Sequence, residues 1–149
     1  MDQRTQARAD GRQALPSAGA ALIAGASALH VLWGTGSSWP ARDRRELADL
    51  VAGTSEFPGS GACFTVAAVL AGAAAVVATR AGGLRGRAGR ACIAGAFAVR
   101  GVAGLSGSTR SLVPWAPSDR FVDLDRRYYG PLCVAIAALV AAGLTGKGR

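Results

Sequence analysis

Residues 61–79 read GACFTVAAVLAGAAAVVAT, nineteen positions without a charged side chain. A helix of that length rises about 28 Å, close to the ~30 Å hydrocarbon thickness of a bilayer. Backbone groups in lipid must be satisfied within their own segment, so a helix is the expected form. Three further apolar blocks lie outward from this one: Ala18–Gly34, Ala91–Leu105 and Pro131–Thr145. The last two reach spanning length only by taking in flanking residues such as Ala88, Gly89, Ser106 and Tyr129. The chain therefore reads as all-α, an integral membrane bundle of four transmembrane helices at about 18–34, 61–79, 88–106 and 129–146.

Composition points the same way. Half of the 149 residues are hydrophobic, but only 6% are aromatic, so the apolar mass is mostly Ala, Val, Leu and Gly. Small side chains let helices approach closely in lipid, whereas a water-soluble core draws more on bulky residues. The net charge of +8 and pI near 11 raise the question of nucleic acid. The basic residues lie between apolar blocks rather than along one face, so no nucleic-acid partner is expected and the lipid bilayer is. Residues 1–16 are polar and read as a disordered basic tail, leaving 17–149 as one transmembrane domain.

Two long connections, Thr35–Ser60 and Ser106–Gly130, each suggest a short interfacial helix. Pro40 suits a first helical turn, after which Leu47, Leu50 and Val51 share a face. Ser118 is placed to cap a helix carrying Phe121, Leu124 and Tyr128 at helical spacing. Small residues at Ala21 and Gly25, and at Gly101 and Gly104, suggest close helix seams.

Basic residues next to spans set orientation. With four spans, Arg4, Arg8, Arg12, Arg80, Arg85, Arg87, Arg90, Lys147 and Arg149 fall on one side, opposed there only by Asp2 and Asp10. The other side carries seven Arg and seven acids. The acid-free Arg80–Arg90 loop is the clearest signal, and it places both termini in the cytoplasm of a multi-pass cell-membrane protein. Ala26-Ser27-Ala28 resembles a signal-peptide cleavage site, but the block stays apolar through Leu32, Trp33 and Gly34, so retention of the segment is expected. Cys63, Cys92 and Cys133 show no C-x-x-C or zinc spacing; a pairing of Cys63 with Cys133 stays open. His30 is the only histidine, and no metal site or cofactor is expected.

Two ionisable residues interrupt the spans. Arg100 stands about 15 Å along the third span from Arg90, near mid-membrane, and His30 lies about one turn from the end of the first. A charge at that depth costs roughly 2.5–3.5 kcal/mol on insertion scales, so Arg100 needs an acidic companion or a wet cavity. The topology offers Glu56, Asp123 and Asp125. It brings His30, Glu56, Arg100 and Asp125 to similar depth, flanked by Trp33, Trp39, Trp115, Tyr128 and Tyr129.

Three elements carry a family likeness. His30-Val31-Leu32-Trp33-Gly34 is like a His-x-x-Trp-Gly element ending a first span. Val99-Arg100-Gly101-Val102-Ala103-Gly104 is like an arginine-bearing third span. Phe121 through Cys133 is like Phe-x-x-x-Asp followed by Tyr-Ser-Pro-Leu-Cys, mapping Asp125, Tyr129, Pro131 and Cys133. Gly130 stands in place of the usual serine, and Tyr128 in place of a common leucine. Over about residues 18–145 the chain resembles the bacterial four-span membrane family catalogued as domain of unknown function 3995. The resemblance implies the four-span fold and assigns no chemistry. In size, span number and Ala/Gly/Arg-rich composition the chain is also similar to small actinobacterial membrane terpene cyclases, a likeness of general form without a shared motif.

Two functional readings follow. In the first, an acid–base enzyme cyclises a prenylated, lipid-like small molecule. Asp125, then Glu56, would be the proton donor; His30 or Tyr129 would orient it or take the final proton. Arg100, Trp33, Trp39, Trp115 and Phe121 would line the substrate site, the aromatic faces stabilising carbocations. An arginine partner opposes the donor role, since it favours the ionised acid. In the second reading the protein is a non-catalytic membrane partner or lipid-binding protein, Arg100 pairs structurally with an outer acid, and His30 packs a seam. The sequence leaves its oligomeric state undetermined.

Overall fold

The computed structural model of the protein describes residues 3–79 and 83–144, with side chains from residue 14 onward. Among these the regular structure is entirely helical: α1 (Gln3–Gly34), α2 (Arg44–Ala52), α3 (Ser60–Ala78), α4 (Gly83–Ser106), α5 (Thr109–Leu112), α6 (Asp119–Leu124) and α7 (Gly130–Ala142). A single π turn, Asp125–Tyr129, joins α6 to α7 without a break. Three helical stretches are long and apolar enough to cross a membrane: Ala14–Gly34, Ser60–Ala78 and Gly83–Ser106. The fourth apolar block folds as α7, 13 residues long and shorter than a span by itself. Positions 145–146, the expected end of that span, lie outside the described residues.

Two starts among the long helices differ from the sequence reading. The helix of α1 runs back to Gln3, through the segment read as a disordered tail, with Pro16 inside it. Pro16 is buried, and a Cβ added to Gly143 would stand 2.9 Å from its Cγ, so the ring is packed against the end of α7. Helix α4 starts at Gly83, so Arg85, Arg87 and Arg90 belong to its first turns rather than to a loop. Arginine is a good helix former, which lets the helix extend past the edge of the apolar block. The side chains of Arg4, Arg8 and Arg12 and all of Arg80, Lys147 and Arg149 fall outside the described residues.

Helix α3 packs along α1, α4 along α7, and α1 also packs on α7, whereas α3 and α4 meet sparsely. Small residues set these approaches. Ser27 donates to the Ala67 carbonyl (2.8 Å) across the α1–α3 seam. A Cβ on Gly19 would stand 3.2 Å from Leu139 Cβ of α7. At Gly101 a Cβ would be 2.7 Å from Val134 Cγ2 and 2.8 Å from its backbone nitrogen; at Gly130 it would be 2.9 Å from the nitrogen of Leu105. The Gly101/Gly104 seam is thus the α4–α7 contact. Ala21 and Gly25 form no such seam: Ala21 is exposed and Gly25 has nothing within 4 Å of a Cβ. Small-residue spacing alone carries no direction, and here that face turns outward.

One core cluster, Ala20, Ile23, Ala74, Val77, Ala94, Ile136 and Val140, fills the end of the bundle near the start of α4. The other end carries a cap built from α2, α5 and α6. Asp43 caps α2, its carboxylate accepting from the Glu46 amide at 2.8 Å. The helix therefore begins at Arg44 rather than at Pro40, because Asp43 satisfies the free amides of a first turn. Leu47 is fully buried against Trp33 and Cys63, with Val51 partly buried beside them. The chain leaves α2 through Gly53, whose φ of +68° and 2.8 Å Cβ approach to Pro117 both demand glycine. Its carbonyl accepts the Ser118 amide (3.0 Å), and Ser118 in turn caps α6.

Candidate functional site

Asp125 is the one acidic residue with no exposed surface among the described residues, and α6 and the π turn put it there. A normal α-helix would carry the pattern Phe121, Leu124, Tyr128 along one side. Phe121 and Asp125 share a face at i, i+4 spacing, and across the π turn that begins at Asp125 it is Tyr129 that continues this stripe while Tyr128 is 63% exposed. The Phe121 and Tyr129 rings lie 6.2 Å apart across this stripe.

Two residues from two helices converge on the Asp125 carboxylate. Arg100 Nη1 donates to Oδ2 (3.1 Å), and Nη2 lies 2.8 Å from Oδ1 as a charge contact rather than a well-directed hydrogen bond. Thr109 Oγ1, itself buried, donates to Oδ2 at 2.6 Å. Gly107, with φ +74°, turns the chain from α4 into α5 and so delivers Thr109. Gly104 leaves room for the pair: a Cβ there would be 2.8 Å from Asp125 Oδ1 and 3.1 Å from Arg100 Nη1. Both neighbours donate to the carboxylate. A buried charge with such partners is costly to break by removing one of them.

The other candidates of the sequence reading occupy separate places. Glu56 is exposed, takes part in none of the ion pairs among the described residues, and offers its backbone carbonyl to Thr54. His30 is half-buried; its Nδ1 donates to the Ala26 carbonyl (2.8 Å) and its ring lies 5.0 Å from that of Trp33. Trp33 is buried, meets Phe57 edge-on at 6.0 Å, and donates Nε1–H to the Trp39 carbonyl (2.7 Å). Trp39 itself is exposed. Trp115 donates to the Ala52 carbonyl (3.0 Å) and Tyr129 to the Leu50 carbonyl (3.1 Å). The tips of Trp33, Trp115 and Tyr129 thus each tie one element to another at the capped end, whereas that of His30 stays within α1. Asp123 is exposed and pairs with Arg127 at 3.0 Å, not with Arg100.

The sequence reading passed over Thr109, Arg44 and Arg120. Arg44 donates to the Trp33 carbonyl (3.1 Å) with its guanidinium 4.7 Å from the Phe57 ring centre, closing the first loop over the first helix. Arg120 bridges Glu46 and Asp49, each at 3.5 Å, across an open polar groove between α2 and α6. Arg110 pairs with Asp119. The only advance signal for Thr109 is the hydroxyl-rich Ser106-Gly107-Ser108-Thr109 stretch just after a span. Cys63, Cys92 and Cys133 are all free thiols.

Helices of this length and composition, with outward-facing Val69, Val99 and Val102, define a protein that associates with membrane lipid. Within that class, residues 23–140 match the model of a family described as protein of unknown function (DUF3995), and the chain belongs to that family. No curated protein and no solved structure matches the chain.

Proposed function

We propose that the protein is a non-catalytic, lipid-binding four-span membrane protein whose polar cluster fastens an external cap to the bundle. The observation that carries this is the full burial of Asp125 between a guanidinium and a hydroxyl, both donating to it. A proton donor must keep its proton and show it to a substrate. Asp125 has no open face, and it lies outside the lining of the polar groove.

In this reading the fourth span is α7 extended by the π turn on the capped side. Gly130–Ala142 with Asp125–Tyr129 gives 18 helical residues, a rise of about 27 Å. The excess of basic residues at the opposite end puts that end, and both termini, in the cytoplasm, with the cap outside the cell membrane.

The competing acid–base cyclase reading makes an opposite forecast. Membranes containing the wild-type chain, incubated with a prenylated indole and followed by mass spectrometry, are expected to yield no cyclised product. A product made by the wild type and abolished in Asp125→Asn or Glu56→Gln, at equal membrane expression, would overturn the non-catalytic reading.

A further inference from the structure

Arg100 does two things at once. Its Nη1 and Nη2 atoms engage a carboxylate with no exposed surface, yet the arginine side chain keeps 39% of its own surface exposed. A guanidinium carries five N–H donors. Asp125 takes one hydrogen bond and one charge contact, and no other hydrogen bond among the described residues uses Arg100. Exposed donors beside a hydrocarbon layer need an acceptor.

The face of α4 that carries Arg100 can be located. Gly89 and Arg100 are eleven residues apart, about three turns, and so lie within roughly 20° of each other around the helix. Gly89 is where α4 meets α3: a Cβ there would touch Val76 Cγ1 at 3.3 Å. Ile93 and Ala96 fall between them at helical spacing on the same side. Arg100 therefore sits on the α3-facing side of α4, three turns beyond the close contact, where the two helices meet only sparsely. Leu70 and Ala73 of α3 and Ile93 and Phe97 of α4 pack on the same core cluster from the two helices and are only partly buried.

Depth fits a headgroup. The 24 residues of α4 rise about 36 Å, more than a ~30 Å hydrocarbon slab. Arg100 lies six residues, about 9 Å, before the capped end of the helix. Side chains on a helix lean towards its N-terminus. Arg100 runs the other way: its Nη1 lies 3.1 Å from the Cβ position of Gly104, one turn further along. This is a cation reaching for the interface with its stem along an apolar wall.

We infer that the α3–α4 crevice holds a membrane phospholipid with an anionic head, its phosphate on the free edge of Arg100 and one acyl chain along Leu70, Ala73, Ile93 and Phe97. The Asp125 carboxylate, itself held by Thr109, fixes one edge of the guanidinium, so that its outer N–H groups are ready for a second acceptor. This rests on the four-span, lipid-binding reading and names the lipid class it takes.

The test uses the full chain in a neutral detergent, with thermal unfolding followed after adding phosphatidylglycerol, phosphatidylcholine or inorganic phosphate. Phosphatidylglycerol is expected to raise Tm by about 5 °C at saturation, and the other two by much less. Ala96→Phe, at an exposed site bordering the crevice, leaves the Arg100–Asp125 pair in place and is expected to abolish the gain. The neutral pair Arg100→Gln/Asp125→Asn is expected to abolish it too. Equal gains from both phospholipids, or an undiminished gain in Ala96→Phe, would overturn the inference. A gain from inorganic phosphate as large as that from phosphatidylglycerol would assign the donors to a soluble anion and also overturn it. A chain that stays dissolved without detergent would instead end the four-span reading beneath it.

Discussion

The two ends of the bundle are held together in different ways. At the end where α4 begins, Ala20, Ile23, Ala74, Val77, Ala94, Ile136 and Val140 meet through apolar contact. At the capped end the helices are tied by polar groups: Arg100 and Thr109 on Asp125, Ser27 on Ala67, and the indole and phenol tips of Trp33, Trp115 and Tyr129 on backbone carbonyls. In lipid the hydrocarbon solvent is as apolar as a leucine side chain, so packing alone gives little orientation. Directional bonds supply it. The apolar end fixes how closely the helices lie, and the capped end fixes their register and the loops above them.

That contrast gives an order of sensitivities. Asp125→Ala is expected to cost the most, about 3 kcal/mol, since it strands a guanidinium at depth. The loss should appear in detergent or bilayer unfolding, with the cap becoming protease-sensitive. A cost no larger than that of an ordinary surface substitution would erase the distinction between the two ends. Gly130→Ser comes next. It installs the residue that the family likeness leads one to expect, but its Cβ would meet the Asp125 carbonyl and the Leu105 nitrogen at 2.9 Å. Backbone atoms cannot yield as side chains do, so about 2–3 kcal/mol is expected from the parting of α4 and α7. An unchanged Tm would mean the glycine seam is looser than described.

Ile23→Ala probes the apolar end. Ile23 is fully buried, and a cavity there is expected to cost about 2 kcal/mol, at the low end for such truncations because lipid offers the side chain an alternative apolar surface. It should lower Tm without exposing the cap to protease, which is the sharper part of the comparison. Gly25→Ala is the smallest change. With nothing within 4 Å of its Cβ, it is expected to be neutral or to stabilise by up to ~1 kcal/mol through helix propensity. A clear loss of stability would restore the seam that the Ala21/Gly25 spacing suggests.

What the sequence made legible follows from which forces are local. The helical class and the long spans came from uninterrupted apolar runs, and the Ser118 cap from its position three residues before Phe121. The approach of Arg100 to Asp125 was legible because a cation at depth needs an acid and few were within reach. Choosing among Glu56, Asp123 and Asp125 was harder, because it depends on how the connections fold over the bundle. Nothing in Asp125-Arg126-Arg127-Tyr128-Tyr129 announces the π turn, and it moves Tyr129 rather than Tyr128 inward. Thr109 could not be read because a single hydroxyl has no period. The start of α2 was misplaced because a proline suits a first turn, while the Asp43 side chain settles the competition three residues later. Whether the aromatics gather round a substrate or clasp a cap depends on where their polar tips point, and residue type does not encode that.

The most direct measurement is a double-mutant cycle on Arg100→Gln and Asp125→Asn, with unfolding followed in bilayers. The account predicts that the two substitutions are strongly non-additive, with a coupling of about 1.5–3 kcal/mol and a double mutant more stable than either single one. Additive losses, with no coupling beyond about 0.5 kcal/mol, would contradict it.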